Sequence, residues 1–179
     1  SIYSKLMLSI TGLLIVGGAA VFFAAEYSNP QTMGQMNFGE SLLASLFQSV
    51  TPRTAGFNTI SQSGMTDTSK YFTVILMLIG GGSGSTAGGA KVVTVGILFF
   101  AAFAAARGNS EVRVMKRRIA QRQVSNALSV MMLFILLTVS TGMLISIVDD
   151  VPILDALMET TSAMCTVGLS TGITPALSM

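Results

Sequence analysis

Two long stretches, residues 6–25 and 127–148, contain no charged side chain. Each supplies the roughly 20 apolar residues that an α-helix needs to cross a ~30 Å hydrocarbon core. Both are therefore read as membrane-spanning helices, and the fold class as an all-α integral membrane protein. Composition agrees, because 51% of the 179 residues are hydrophobic and only 10% are charged, with a mean hydropathy of +0.70. Soluble domains carry about 25% charged residues. Lys5 ahead of the first stretch, with Gly17, Gly18, Ala19 and Ala20 inside it, also suits a secretory signal. The apolar core is longer than the roughly 7 to 15 residues of such signals, however, and a second span follows.

Charge is unevenly placed. Arg107, Arg113, Lys116, Arg117, Arg118 and Arg122 share one hydrophilic stretch between membrane segments. Such Lys/Arg enrichment marks the cytoplasmic side, which assigns residues 107–124 there. Glu26, Glu40, Asp67, Asp149, Asp150, Asp155 and Glu159 flank segments expected to emerge on the opposite face. The basic stretch also suits a lipid-headgroup or polyanion patch, but the topological reading is the simpler one. A net charge of +2 gives no argument for nucleic acid. Cys165 is the single cysteine, which excludes an internal disulfide or a multi-Cys metal site within this sequence. It is expected to pack as a small apolar residue near a helix end.

Between the long stretches lie apolar segments too short to span. Residues 38–51 would make a helix of roughly 21 Å at 1.5 Å per residue, the length of a re-entrant or interfacial element. Asn37 and Glu40 suit a capping box at its start, and Pro52 bars its continuation. Near the C-terminus Asp149, Asp150 and Pro152 supply start signals for a helix of similar length ending near Cys165. Thr54-Ala55-Gly56-Phe57-Asn58-Thr59 follows the first short helix, and Thr166-Val167-Gly168-Leu169-Ser170-Thr171 follows the second. An offset of 112 residues carries Thr54 onto Thr166, Gly56 onto Gly168 and Thr59 onto Thr171. The repeating unit is a spanning helix, a short helix and a Thr-x-Gly loop, and internal repeats are common in transport folds.

A third apolar region is interrupted. Residues 71–79 and 92–106 flank Gly80-Gly81-Gly82-Ser83-Gly84-Ser85-Thr86-Ala87-Gly88-Gly89-Ala90-Lys91. Neither half crosses a bilayer alone, whereas together they do, which places the glycine-rich break inside one broken membrane helix. Backbone freed from helical bonding is tolerated at that depth only where it is buried in protein or lines a watery cavity. The spacing of Gly84 and Gly89 resembles a nucleotide loop, but Ala90 separates Gly89 from Lys91, and Val92 stands where a hydroxyl is required. Close helix packing through small residues needs fewer glycines than this.

A dehydrated monovalent cation needs oxygen ligands to replace its hydration shell, and inward-pointing backbone carbonyls provide them. Aligning consecutive carbonyls calls for unusual torsions, and glycine takes φ > 0 without a Cβ penalty. Gly56 and Gly168 are placed for that purpose. Each short helix would also aim its partially negative C-terminal end at the membrane interior, favouring a cation there. Taken singly, each Thr-x-Gly is equally an ordinary turn after a helix.

Together the segments 54–58, 80–91 and 166–170 resemble the Trk/Ktr/HKT superfamily of potassium transporters, with the membrane subunit of bacterial Ktr systems the nearest pattern. Family members carry helix, pore-helix, helix repeats around a pore. Residues 1–107 are similar to the third repeat, 108–124 to a basic cytoplasmic linker, and 125–179 to the fourth repeat as far as its filter. The first two repeats and a final helix bearing a pore-facing arginine have no counterpart in this sequence.

The resemblance implies a selectivity filter at Thr54, Ala55, Gly56, Phe57 and Asn58 and at Thr166, Val167, Gly168, Leu169 and Ser170. Potassium would be held by the backbone carbonyls of Thr54, Ala55, Gly56, Thr166, Val167 and Gly168. It further implies an intramembrane gating loop over residues 80–91, a homodimer in the plasma membrane, and a cytosolic RCK-type nucleotide-binding ring contacting residues 107–122. No organic cofactor and no enzymatic activity are expected. A secondary transporter for an organic solute is the other reading, with Lys91 as the one charged candidate near the midplane.

Overall fold

The computed structural model describes residues 2–81, 90–108, 113–114 and 117–177. Its helices are α1 (Ile2–Glu26), α2 (Phe38–Val50), α3 (Asp67–Leu78), α4 (Val92–Ala106), α5 (Gln121–Val148) and α6 (Ile153–Met164), with a 3₁₀ turn at Thr174–Ala176. Apart from a two-residue antiparallel ladder pairing β1 (Arg113–Val114) with β2 (Arg117–Arg118), the described chain is all-α. Lys116 and, of the expected gating loop, Gly82, Ser83, Gly84, Ser85, Thr86, Ala87, Gly88 and Gly89 lie outside the described residues.

Residues 7–26 of α1 and the whole of α5 are long and apolar enough to cross a membrane. Leu8, Leu13 and Val16 on α1, and Leu133, Leu136, Leu144 and Ile147 on α5, stand exposed. Water would oppose that arrangement at roughly 25 cal/mol per Å² of apolar surface, whereas hydrocarbon does not. Helix α5 begins at Gln121, ahead of its first apolar residues, because a spanning helix keeps its hydrogen bonds past the point where the hydrocarbon ends.

The short helices start and stop where side-chain chemistry directs. The Glu40 carboxylate accepts the Asn37 backbone N–H at 2.9 Å, and α2 ends at Val50, two residues before Pro52. Helix α6 starts directly after Pro152 and ends at Met164, with Cys165 beyond it fully buried. Helix α3 starts earlier than its apolar residues do, since the Thr66 hydroxyl accepts the Ser69 N–H at 3.4 Å and caps the helix.

Each spanning helix packs against its own short helix, α1 on α2 and α5 on α6, and α3 crosses to lie on α6. The same device appears at both of the first two contacts. Ser49 of α2 donates its hydroxyl to the carbonyls of Leu14 and Ile15 at 3.1 and 2.9 Å, one turn below Gly18. A Cβ on Gly18 would sit 2.3 Å from the Ser49 Oγ. On the other side the Thr160 hydroxyl of α6, which donates to the Ala156 carbonyl of its own helix at 2.9 Å, also comes within 3.5 Å of the Thr138 carbonyl, one turn below Gly142, whose Cβ would meet the Leu157 Cδ2 at 2.7 Å. Small residues let backbones approach closely enough for a hydroxyl to reach a helical carbonyl across the interface.

Glu26, buried at the end of α1, gathers the segments that follow α1 and precede α3. Its carboxylate accepts from Asn29 Nδ2 at 2.7 Å, Thr32 Oγ1 at 2.5 Å, and both the N–H and hydroxyl of Thr66 at 2.9 and 2.7 Å. Charge-assisted bonds of this kind are roughly twice as strong as neutral ones. They tie α1 to the start of α3.

Gly18 and its neighbour Gly17 offer a direct check, because a Cβ on Gly17 has no atom within 4 Å. Gly18→Val should lower the detergent-solubilised protein's stability by about 1–3 kcal/mol through overpacking against Ser49. Gly17→Ala should leave thermal unfolding unchanged.

Candidate functional site

The two Thr-x-Gly loops adopt the same unusual backbone. Thr54 and Gly56 have φ of 70° and 76°, and their counterparts Thr166 and Gly168 have 53° and 92°. For glycine the left-handed region carries little penalty, but for a β-branched threonine it is a genuine outlier. Positive φ recurs at every second residue of each loop. In an extended strand successive carbonyls face opposite ways, and reversing the hand of alternate residues cancels that alternation. A backbone of this kind is able to present neighbouring carbonyls on a common side.

Local bonds hold each loop in this form. At the first, Ala55 and Gly56 both donate to the Thr51 carbonyl, at 3.1 and 3.2 Å. The Thr51 hydroxyl accepts the Phe57 N–H at 2.9 Å and donates to the Phe57 carbonyl at 2.6 Å. Gln48 and Gln62, both buried, exchange amide bonds at 3.0 and 3.1 Å and so fasten the chain leaving the loop to α2. At the second loop Val167 donates to the Ser162 carbonyl at 2.8 Å and Gly168 to the Ser162 hydroxyl at 3.2 Å.

Side chains of the second loop alternate. Thr166 and Gly168 are exposed, while Val167 and Leu169 are buried in an apolar cluster with Met77 of α3, Met158 of α6 and Cys165. Cys165 thus packs as the sequence leads one to expect. A hollow of about 410 Å³ opens along this loop, lined by Glu159, Ser162, Ala163, Thr166, Val167, Gly168, Leu169, Ser170 and Thr174. In the first loop Ala55, Phe57 and Asn58 are exposed and Thr54 and Gly56 half-buried.

The structure brings the two loops together. A Cβ on Gly56 would lie 2.1 Å from the Val167 carbonyl oxygen and 3.5 Å from the Gly168 Cα. On Gly168 a Cβ would meet only the Gly56 Cα, at 3.8 Å. Residues 112 apart in sequence therefore face each other across a gap that admits no side chain on Gly56. An ion pair reinforces the approach, with Lys70 of α3 donating to Asp155 in the first turn of α6 at 2.8 Å and side chains only 10% and 16% exposed.

Of the glycine-rich break, only the ends are described. Ile79 and Ala90 form a parallel bridge, Ala90 donates to the Leu78 carbonyl and Val92 to the Gly81 carbonyl, each at 3.2 Å. Gly80 and Ala90 are buried, and Gly81 and Lys91 half-buried. Helices α3 and α4 are thus joined through a pinched neck. Thr51, Ser162, Gln48, Gln62 and Lys70 escaped the sequence reading, and Asp155 was read only as an acid flanking a membrane segment, since their partners are distant or lie in irregular segments.

A family model described as a cation transport protein, TrkH, matches residues 5–179. The Ktr system potassium uptake protein B of Bacillus subtilis is 39% identical over 179 residues, covering 99% of this chain and 40% of that protein. Its namesake from Vibrio alginolyticus is 36% identical over 177 residues, 99% of this chain and 39% of the relative. The potassium/sodium uptake protein NtpJ of Enterococcus hirae is 38% identical over 183 residues, 100% of this chain and 40% of the relative. This chain spans about 40% of the length of these relatives.

The Lys70–Asp155 pair yields a stability test. Lys70→Met alone strands a poorly solvated carboxylate and should cost about 3 kcal/mol, whereas Lys70→Met with Asp155→Leu should recover most of the loss. Thermal unfolding of the four proteins of the cycle measures the coupling.

Proposed function

The chain belongs to the TrkH family of cation transport proteins, and from that premise we propose that it carries two filter strands and the gate of a potassium pathway across the plasma membrane. The family is one of integral membrane transporters and not of enzymes. The observation that carries the proposal is the paired backbone of the loops, with positive φ at Thr54 and Gly56 and at Thr166 and Gly168, and Gly56 set against Val167 and Gly168. Carbonyls of Thr54, Ala55, Gly56, Thr166, Val167 and Gly168 take the place of water around the ion. Phe57, Asn58, Leu169 and Ser170 complete the strands.

Potassium as the ion is supported by the printed names of the Bacillus and Vibrio relatives, and a monovalent cation by that of the Enterococcus relative. Residues 1–107 form one repeat, 108–124 a cytoplasmic linker and 125–179 part of the next. Residues 80–91 act as the gating loop, a role supported by the pinched neck where Ile79 meets Ala90. A homodimer and an RCK-type nucleotide-binding ring are proposed on the family resemblance, with residues 107–122 as the contact for the ring.

Flux measurements on the full-length protein in liposomes test this. Wild-type protein should pass potassium in preference to sodium. Gly56→Ala, which drives a methyl into the Val167 carbonyl at a φ of 76°, should reduce that preference about tenfold or more, the size of ~1–3 kcal/mol of backbone strain. Gly168→Ala, where only the φ of 92° is violated, should have the smaller effect. Undiminished preference in both variants would falsify the filter. Shortening residues 81–89 should raise leak flux, and an unaltered leak counts against the gate.

A further inference from the structure

Both short helices send a polar side chain to the segment leaving their loop, but the two differ in kind. On α2 the neutral Gln48 meets the neutral Gln62. On α6 the side chain is Glu159. Its Oε1 accepts the Ser170 hydroxyl at 2.7 Å, the Thr171 N–H at 2.8 Å and the Thr171 hydroxyl at 3.0 Å, and its Oε2 accepts the Thr174 hydroxyl at 2.6 Å.

We propose that Glu159 is a positioning residue for the second filter strand, fixing the course of residues 166–170 and through it the preference for potassium over sodium. The inference rests on the filter reading above. Thr166 holds a left-handed φ of 53°, and such strain persists only where the surroundings over-determine it. At its inner end the strand is fixed by Ser162 and by the burial of Val167 and Leu169. Glu159 supplies the outer anchor. Thr171, 7% exposed, gives it both its backbone and side-chain donors, so the main chain directly after Ser170 has little freedom.

A carboxylate suits this task because it only accepts, with room for about four donors on two oxygens. Each recorded bond to Glu159 comes from the protein's own residues 170–174. In this proposal the side chain acts through the strand it holds.

The test is rubidium uptake by the full-length transporter with sodium as competitor. Glu159→Ala should let sodium compete about tenfold better, the scale of lost charge-assisted hydrogen bonds, with protein level and maximal rate close to wild type. Glu159→Gln, which keeps the shape and the Oε1 acceptor, should restore most of the discrimination. Wild-type sodium competition in a folded Glu159→Ala protein overturns the proposal. So does a Glu159→Gln variant as impaired as the alanine one, since that result assigns the effect to charge alone. If Glu159→Ala fails to accumulate, Ser170→Ala with Thr174→Val removes two donors instead, and unchanged competition there is equally fatal. A wild-type protein without potassium uptake, or an indifferent Gly56→Ala, defeats the filter reading itself. Sensitivity at Gly56 with indifference at Glu159 defeats only this inference.

Discussion

A helix that ends within a bilayer leaves its last carbonyls without partners, and hydrocarbon supplies none. On the function proposed above, that constraint acts where α2 and α6 stop. Each helix turns at once into a loop whose amides bond back to its last turn, at Thr51 and at Ser162. The remaining carbonyls must then face protein or water. The residues at 54, 56, 166 and 168 all take left-handed φ there, so the two loops answer the constraint with the same backbone.

The packing around the loops serves the same end. Gly18 and Gly142 allow the short helices to come close enough for Ser49 and Thr160 to share carbonyls already engaged in the spanning helices. Such bonds are modest singly, on the order of 0.6 kcal/mol in membrane proteins, yet they fix depth and rotation. Lys70 and Asp155 join α3 to α6. Position is therefore transmitted from the long helices to the loops through a few close contacts.

Much of this was legible before any coordinates. Hydropathy placed α1 and α5, Pro52 and Pro152 marked the ends of short helices, and the 112-residue offset matched loops that turn out to share their torsions. What escaped has a physical pattern. Helices α3 and α5 begin at Asp67 and Gln121, among polar residues that a hydropathy reading passes over. Glu26 and Glu159 read only as acids flanking a membrane, because their donors sit in irregular segments with no period. Lys70 and Asp155 are 85 residues apart, and nothing local announces the pair. The sequence reading treated Gly56 and Gly168 as equals, while the structure crowds one against a carbonyl and leaves the other open.

The unlike fastenings of the two loops have an evolutionary corollary. In an assembly of identical subunits any change to a loop is copied to every position around the axis, so its cost is multiplied by the symmetry. Here both copies are encoded within one polypeptide, an amide pair behind one and a carboxylate behind the other. Mutation can thus adjust one loop while the other keeps its own fastening, and selection is free to explore lopsided solutions that a symmetric ring never samples.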